Sequence, residues 1–247
     1  MNPVVIVDEY NPKAIEAAKQ FKNYKFDDAN MILVLGGDGT MVRAIQKFYK
    51  FELPFYGINY GHLGFLLNDN TSLPKQYACY NLPLLRTTWS GLDGSCGEAV
   101  GVNDIWVERA SAQTAKMMLL LDGVLTLPRV YADGLLVCTP QGSTAYARAM
   151  GGVPLPIDTQ AMQIVGNNVG FPTWKSALLG LDQSVEIINT CNQTGKRPIR
   201  LLSDGVVLSE NIHSVKISRL KTHNITLFFD TNTNLASKIT AIQFPKK

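Results

Sequence analysis

The run Met31-Ile-Leu-Val-Leu35 leads without interruption into Gly36-Gly37-Asp38-Gly39-Thr40. An unbroken apolar run ending at glycines reads as a strand buried on both faces, and Met41 to Phe51 beyond it reads as a helix. At such a strand-to-helix turn no Cβ blocks the approach of an anion to backbone N–H groups. The helix that follows presents its positive end to the same spot. The combination suits a polyphosphate, with Asp38 free for a hydroxyl or a metal and Thr40 able to donate a hydrogen bond. A tight βα turn that merely uses glycine is the plainer reading of the same string.

The flanking sequence repeats the alternation. Val4 to Val7 fits a first strand, and Asn11-Pro12 reads as an N-cap followed by proline in the first helical turn. Ala14, Ala17, Ala18 and Phe21 share one face of that helix, as do Val42, Ile45 and Phe48 or Tyr49 in the next. Phe55 to Asn59 is a third strand. A β-α-β-α-β order predicts parallel pairing with right-handed crossovers. Gly61-His62-Leu63-Gly64-Phe65-Leu66 then leaves the third strand where open α/β sheets bind ligands. His62 reads as packed or solvated more readily than as chemical, and Phe65 as core or pocket wall.

Tyr77 to Leu85 reads as a connecting segment broken by Pro74 and Pro83. From Arg86 the pattern changes to short apolar runs with turns between them. The strand candidates are Val102–Glu108, Lys116–Leu121, Leu135–Thr139, Val185–Asn189, Ile199–Leu202, Val206–Leu208, Val215–Ser218 and Ile225–Phe229. Asp122-Gly123 and Asp204-Gly205 sit between such runs as hairpin turns. Asn234 to Phe244 regains helical character. The expected fold is therefore an α/β domain with an open, mostly parallel Rossmann-like sheet over residues 1–85, onto which 226–247 packs back, and an all-β domain over 86–225.

Composition removes several function classes. Lys plus Arg (23) less Asp plus Glu (20) leaves +3, too little for a nucleic-acid footprint. Cys79, Cys96, Cys138 and Cys191 are widely spaced and form no C-x-x-C pair, which argues against zinc or a disulfide framework. The N-terminus lacks a basic region before a long apolar one, and no apolar run approaches the roughly 20 residues that span a bilayer. A cytoplasmic protein without a membrane partner is expected, with Lys246 and Lys247 as a solvated tail.

Two further strings carry chemistry. Asn103-Asp104 ends a turn or forms a site, Asn103 offering donor and acceptor and Asp104 binding ribose hydroxyls or a cation. Ala132 to Tyr146 runs from a strand through Pro140 and Gly142 to Ser143 and Thr144, with a helix expected from about Thr144. Its carboxylate Asp133, its hydroxyls, its exposed backbone and the ring of Tyr146 describe a nucleotide pocket; Ser143 or Thr144 also reads as a simple N-cap. For Asp204-Gly205 the hairpin reading is the stronger.

Gly36-Gly37-Asp38-Gly39-Thr40, Gly61 to Leu66, Asn103-Asp104 and Asp133 to Tyr146 stand in the order and approximate spacing of the NAD kinases, which the chain resembles over nearly its whole length. The run from Asp133 is the most specific part. The glycine-aspartate string alone is also found in diacylglycerol and sphingosine-type lipid kinases, with a related one in phosphofructokinases. The resemblance implies that ATP phosphorylates the 2′-hydroxyl of the NAD adenosine ribose. Asp38 would be the general base or hydroxyl orienter, and Gly37, Gly39 and Thr40 the phosphate-receiving turn. Phe65 would line the NAD pocket, and Asn103, Asp104, Asp133, Thr144, Ala145 and Tyr146 would bind the dinucleotide. It further implies a divalent ion (magnesium, with manganese as the alternative), no protein residue being assigned to it, and a cytoplasmic homodimer or homotetramer of bacterial type. Gln141 departs from the small hydroxyl residue usual in the family, and Tyr131 from a basic residue found in some members. The other readings are a lipid kinase, for which no acyl pocket or basic membrane helix is found, and a dinucleotide sensor without turnover, against which the intact Asp38 speaks.

Overall fold

Every residue from Met31 to Gly36 is buried, as an all-apolar strand requires, and the strand belongs to the first of two units. Met1–Pro83, Pro156–Asp158 and Lys221–Lys247 form that unit; Leu84–Leu155 and Thr159–Leu220 form the second. The computed structural model describes residues 1–62, 64–191 and 196–244. Leu63, in the expected Gly61–Leu66 loop, and the expected tail Lys246 and Lys247 lie outside the described residues.

The first unit begins β1 (Pro3–Val7), α1 (Pro12–Ala18), β2 (Met31–Gly36), α2 (Asp38–Phe48) and β3 (Phe55–Asn59). The three strands pair in parallel, with Val5 opposite Leu33 and Leu33 opposite Tyr56. Asn11 caps α1, its Oδ1 accepting from the Lys13 and Ala14 amides at 3.1 and 3.2 Å, and Pro12 sits in the first turn. Ala14 packs with Met31, Leu33, Leu35, Tyr56 and Ile58 in one core. One boundary differs from expectation: α2 starts at Asp38, inside the glycine turn, and not at Met41. Gly37 is its extended N-cap (φ −111°, ψ −179°), and its carbonyl accepts from both Thr40 and Met41. Gly36 is fixed by contact, because a Cβ there would lie 2.9 Å from Thr40 Oγ1.

The second unit holds β4 (Tyr77–Gly91, whose first residues belong to the first unit), β5 (Cys96–Gly101), β6 (Asp104–Arg109), β7 (Ala115–Leu121), β8 (Val124–Ala132) and β9 (Gly134–Cys138). A 3-10 turn over Gln141–Thr144 and the one-turn helix α3 (Tyr146–Ala149) stand in place of the longer helix expected from Thr144. Then come β10 (Ala161–Asn167), β11 (Ser176–Gly180), β12 (Val185–Asn189), β13 (Ile199–Ser203) and β14 (Val206–Ser209). Six strands pair in the order β11-β10-β9-β6-β13-β14, antiparallel throughout. A second antiparallel group joins β12 to β7 and β7 to β8. Ile105, Val107, Leu135 and Val137 from the first group share a core with Met117, Leu119, Val185 and Ile187 from the second. Both expected hairpins form: Leu121 pairs with Val124 and Ser203 with Val206. Asp122 (φ 52°) with Gly123 (φ 77°), and Asp204 (φ 46°) with Gly205 (φ 81°), take the left-handed conformation that two-residue turns need.

The chain closes with β15 (Ile212–Asp230) and α4 (Leu235–Gln243). Two strands expected at Val215 and Ile225 are thus one, because the polar stretch between them stays extended. The expected linker Tyr77–Leu85 is likewise part of β4, with Pro83 inside the strand. The later half of β15 lies in the first unit, where Leu227 and Phe228 pair in parallel with Phe55 and Tyr56. Asn68 ties this return together. Its amide donates to the carbonyls of Gly57 (3.0 Å) and Phe228 (3.3 Å), and its Oδ1 accepts from Asp230 N (2.9 Å) and Thr233 Oγ1 (3.1 Å). Among the described residues no helix is long and apolar enough to cross a membrane. Cys79 and Cys96 are exposed and Cys138 is buried, with no disulfide among the described residues.

Asn68 is fully buried, so Asn68→Ala strips partners from groups that water does not replace. Urea unfolding of the variant is expected to show a loss of roughly 2–4 kcal/mol; a loss under about 1 kcal/mol would remove Asn68 from this role.

Candidate nucleotide-binding and phosphoryl-transfer site

Asp38 is the first residue of α2, where the helix's positive end favours a carboxylate. Its carboxylate is already held: Oδ2 accepts from the Phe65 amide and Oδ1 from the Leu66 amide, each at 2.8 Å. Two carboxylate oxygens have about four lone-pair positions, so each keeps one direction for a ligand. Burial raises its pKa above the ordinary carboxylate value; the Phe65 and Leu66 amides and the Lys238 ammonium pull it down, and Asp69 pushes it up. Phe65 therefore touches Asp38 through its backbone, while its side chain is buried. His62, by contrast, is exposed.

Around the glycines there is room. A Cβ at Gly37 would meet nothing within 4 Å, and one at Gly39 only Arg43 Nη1 at 3.5 Å. Thr40 faces elsewhere: its hydroxyl donates to Asp8 Oδ2 and accepts from Arg43 Nη2, both at 3.1 Å. Beside it opens a cavity of about 460 Å³ lined by Asp8, Tyr10, Thr40, Arg43 and Lys47 among others. Asp8, Arg43 and Lys238 were not picked out from the sequence. Arg43 lies one turn beyond Thr40, a spacing that could have flagged it; Lys238 carries no local signal.

In the second unit, the carboxylate of Asp204 accepts three consecutive backbone N–H groups, from Val102 (2.7 Å), Asn103 (2.7 Å) and Asp104 (3.0 Å). The hairpin aspartate is therefore also the support of Asn103-Asp104. From the other side, the Asn103 carbonyl accepts from Thr139 N (2.9 Å) and Thr139 Oγ1 (3.1 Å), and Gln141 Nε2 donates to the Val102 carbonyl at 2.9 Å. Gly142 lies so close that a Cβ would sit 2.0 Å from the Asn103 carbonyl oxygen. Gln141, the departure from the family pattern, thus acts as a brace.

Held in this way, Asn103 keeps its Oδ1 buried with no partner among the described residues. Asp104 is buried, and burial together with the neighbouring Asp204 charge pushes its pKa up to about 7. Tyr146 is 48% exposed and leans edge-on against Trp106 with centroids 4.8 Å apart. Thr144 Oγ1 donates to the Gln141 carbonyl (3.3 Å), and Ala145 (φ −89°, ψ −128°) forms the corner between the 3-10 turn and α3. Asp133 is paired, 2.8 Å from Arg109 Nε and 2.9 Å from Asn168 Nδ2. Lys116 Nζ lies 5.3 Å from the ring centroid of Tyr131. Among the described residues no three His, Cys, Asp or Glu side chains gather as a metal cage.

Residues 6–73 match the family described as ATP-NAD kinase N-terminal domain. The chain is 34% identical over 257 aligned residues to an NAD kinase of Rickettsia bellii, covering 99% of this chain and 98% of that one. It is 31% identical to an NAD kinase of Rickettsia felis, over 99% and 98%. Among solved structures, yeast NADH kinase complexed with NADH superposes with a TM-score of 0.81 at 18% identity, covering 100% of this chain and 89% of that one. The Archaeoglobus fulgidus NAD kinase in complex with ATP gives 0.73 at 21% identity, over 98% and 99%. The fold is theirs, and identity to the curated relatives along almost the whole chain settles descent: the chain belongs to the NAD kinase family.

Proposed function

We propose that the chain is an ATP-dependent NAD kinase that transfers the terminal phosphoryl group of ATP to the 2′-hydroxyl of the NAD adenosine ribose, with Asp38 orienting that hydroxyl. The observation that carries this assignment is a half-buried carboxylate with two lone-pair directions unfilled, at the head of a helix whose glycine turn is open. A ribose hydroxyl is a weak nucleophile until a carboxylate accepts its hydrogen bond, and burial makes Asp38 a stronger acceptor than a solvated aspartate. Phosphoryl transfer asks mainly for positioning and charge neutralisation. The open space at Gly37 and Gly39, with the dipole of α2, receives phosphate. Arg43 and Lys47, which line the cavity beside Thr40 together with Asp8 and Glu9, are assigned to the donor's phosphates.

Asn103 Oδ1 is assigned to a ligand donor such as an exocyclic amine, and Asp104 to the ribose hydroxyls. Tyr146 offers its exposed ring for stacking, Phe65 a pocket wall, and Asp133, Thr144 and Ala145 the remaining dinucleotide contacts. A divalent ion, which when bound neutralises charge on the transferring group, would be carried on the donor phosphates. A cytoplasmic homodimer or homotetramer completes the reading; the exposed apolar edge residues Val124 and Leu125 on β8 and Val206 and Val207 on β14 support association.

Asp38→Asn sets an amide N–H against one of the two backbone N–H donors and removes the anionic acceptor. NADP formation is expected to fall on the order of 10²–10⁴-fold while calorimetric NAD affinity stays within a few-fold; turnover near wild type would end the assignment. Arg43→Ala is expected to raise KM for ATP at least several-fold more than KM for NAD, and an equal effect on both would move the donor elsewhere.

Asp104 makes a linkage prediction. Its folded pKa is raised, so between about pH 4 and pH 7 the native state binds more protons than the unfolded one, and stability falls as pH rises through that window. Asp104→Asn removes the penalty. Thermal unfolding of the ligand-free variant should match wild type near pH 3.5 and exceed it at pH 8, by roughly a few kcal/mol; parallel curves would refute the raised pKa.

A further inference from the structure

We propose that Lys238, on the C-terminal helix α4, is a positioning residue for Asp38, acting through the peptide unit that joins Gly64 to Phe65. Lys238 Nζ donates to the Gly64 carbonyl at 2.8 Å and to the Leu67 carbonyl at 2.7 Å, and lies 3.1 Å from Asp69 Oδ2. An ammonium has three donors, and these contacts occupy all of them. The Gly64 carbonyl and the Phe65 N–H belong to one planar trans peptide and point in opposite directions. Whatever fixes that oxygen also aims the N–H, and this N–H meets Asp38 Oδ2 at 2.8 Å. Lys238, Gly64 O, Phe65 N–H and the carboxylate thus form one line of bonds. A carbonyl bound to a cation also polarises its amide into a stronger donor.

Two observations set Lys238 apart from an ordinary helix lysine. Its side chain is 18% exposed, so its charge is poorly screened. It also stands in the first turn of α4, after the N-cap Asn234, where the helix dipole disfavours a cation. The charged groups acting on Asp38 are this lysine, which lowers its proton affinity, and Asp69, which raises it. They act in opposite senses, which gives the test its sign.

The test is the pH profile of kcat for NADP formation in the full-length protein, measured for Lys238→Met, Lys238→Arg and Asp69→Asn. Removing the cation should lower kcat by about tenfold or more with KM for NAD held within about threefold, and move the acid limb to higher pH. Lys238→Arg should restore most of kcat and the wild-type limb. Asp69→Asn should move the limb to lower pH. A helix that merely holds the fold together would not shift the limb in opposite directions. An unmoved limb in Lys238→Met overturns the proposal whatever happens to kcat; should that variant not fold, an unmoved limb in Asp69→Asn does so. The inference rests on Asp38 being the ionising group. Turnover retained in Asp38→Asn would sink that reading, whereas turnover lost there with an unmoved limb in Lys238→Met sinks only the role of Lys238.

Discussion

A carboxylate half-buried at the head of a helix is costly unless its charge is met, and in this protein it is met by two peptide amides. The Phe65 and Leu66 N–H groups reach Asp38 only because the segment leaving β3 turns back over the start of α2. That turn is held by its own partners. Asn59 N donates to the Asn68 carbonyl and Asn68 N to the Gly57 carbonyl, both at 2.8 Å, while the Asn68 side chain fastens the loop to β15. The segment from Gly64 to Asn68 is thus bonded to Asp38 by its amides and to Lys238 by its carbonyls. Backbone that would otherwise be an exposed loop becomes part of the site's geometry.

The same device recurs in the second unit with a different result. Asp204 accepts three successive amides and spends its lone pairs shaping the backbone of Val102–Asp104. Its charge then bears on Asp104, which burial has already made reluctant to ionise. Asp104 is thereby pushed toward neutrality, the kind of perturbation by environment on which acid–base sites depend.

What was legible in the sequence is what local physics writes there. The all-apolar strand before the glycines, the Asn11-Pro12 helix start and the two Asp-Gly turns are signals confined to a few residues, and each is found in the structure. Pro83 hid β4, because proline reads as a strand breaker, and polar residues hid the middle of β15. Asp38, Asn103 and Asp104 were identifiable as candidates by motif, but their settings were not. Phe65 lies 27 positions from Asp38, Asp204 lies 101 from Asn103, and Lys238 lies 174 from Gly64. No periodicity or turn rule spans such separations; only the strand pairing brings these groups together.

The twist of α2 also explains why the acid at its start and the nearby arginine do not pair. Successive helical residues are rotated by about 100°, so Arg43, five positions after Asp38, projects from a face roughly 140° away. There it bonds Thr40 Oγ1, which in turn is tied to Asp8. An arginine paired directly with Asp38 would have drawn its pKa down and occupied the lone pairs that a hydroxyl needs. Placed instead around the helix, Arg43 bonds a neutral threonine, and the Asp38 carboxylate is left to the Phe65 and Leu66 amides. The rotation of each residue against the next thus keeps the carboxylate and the guanidinium on separate faces of α2, five positions apart.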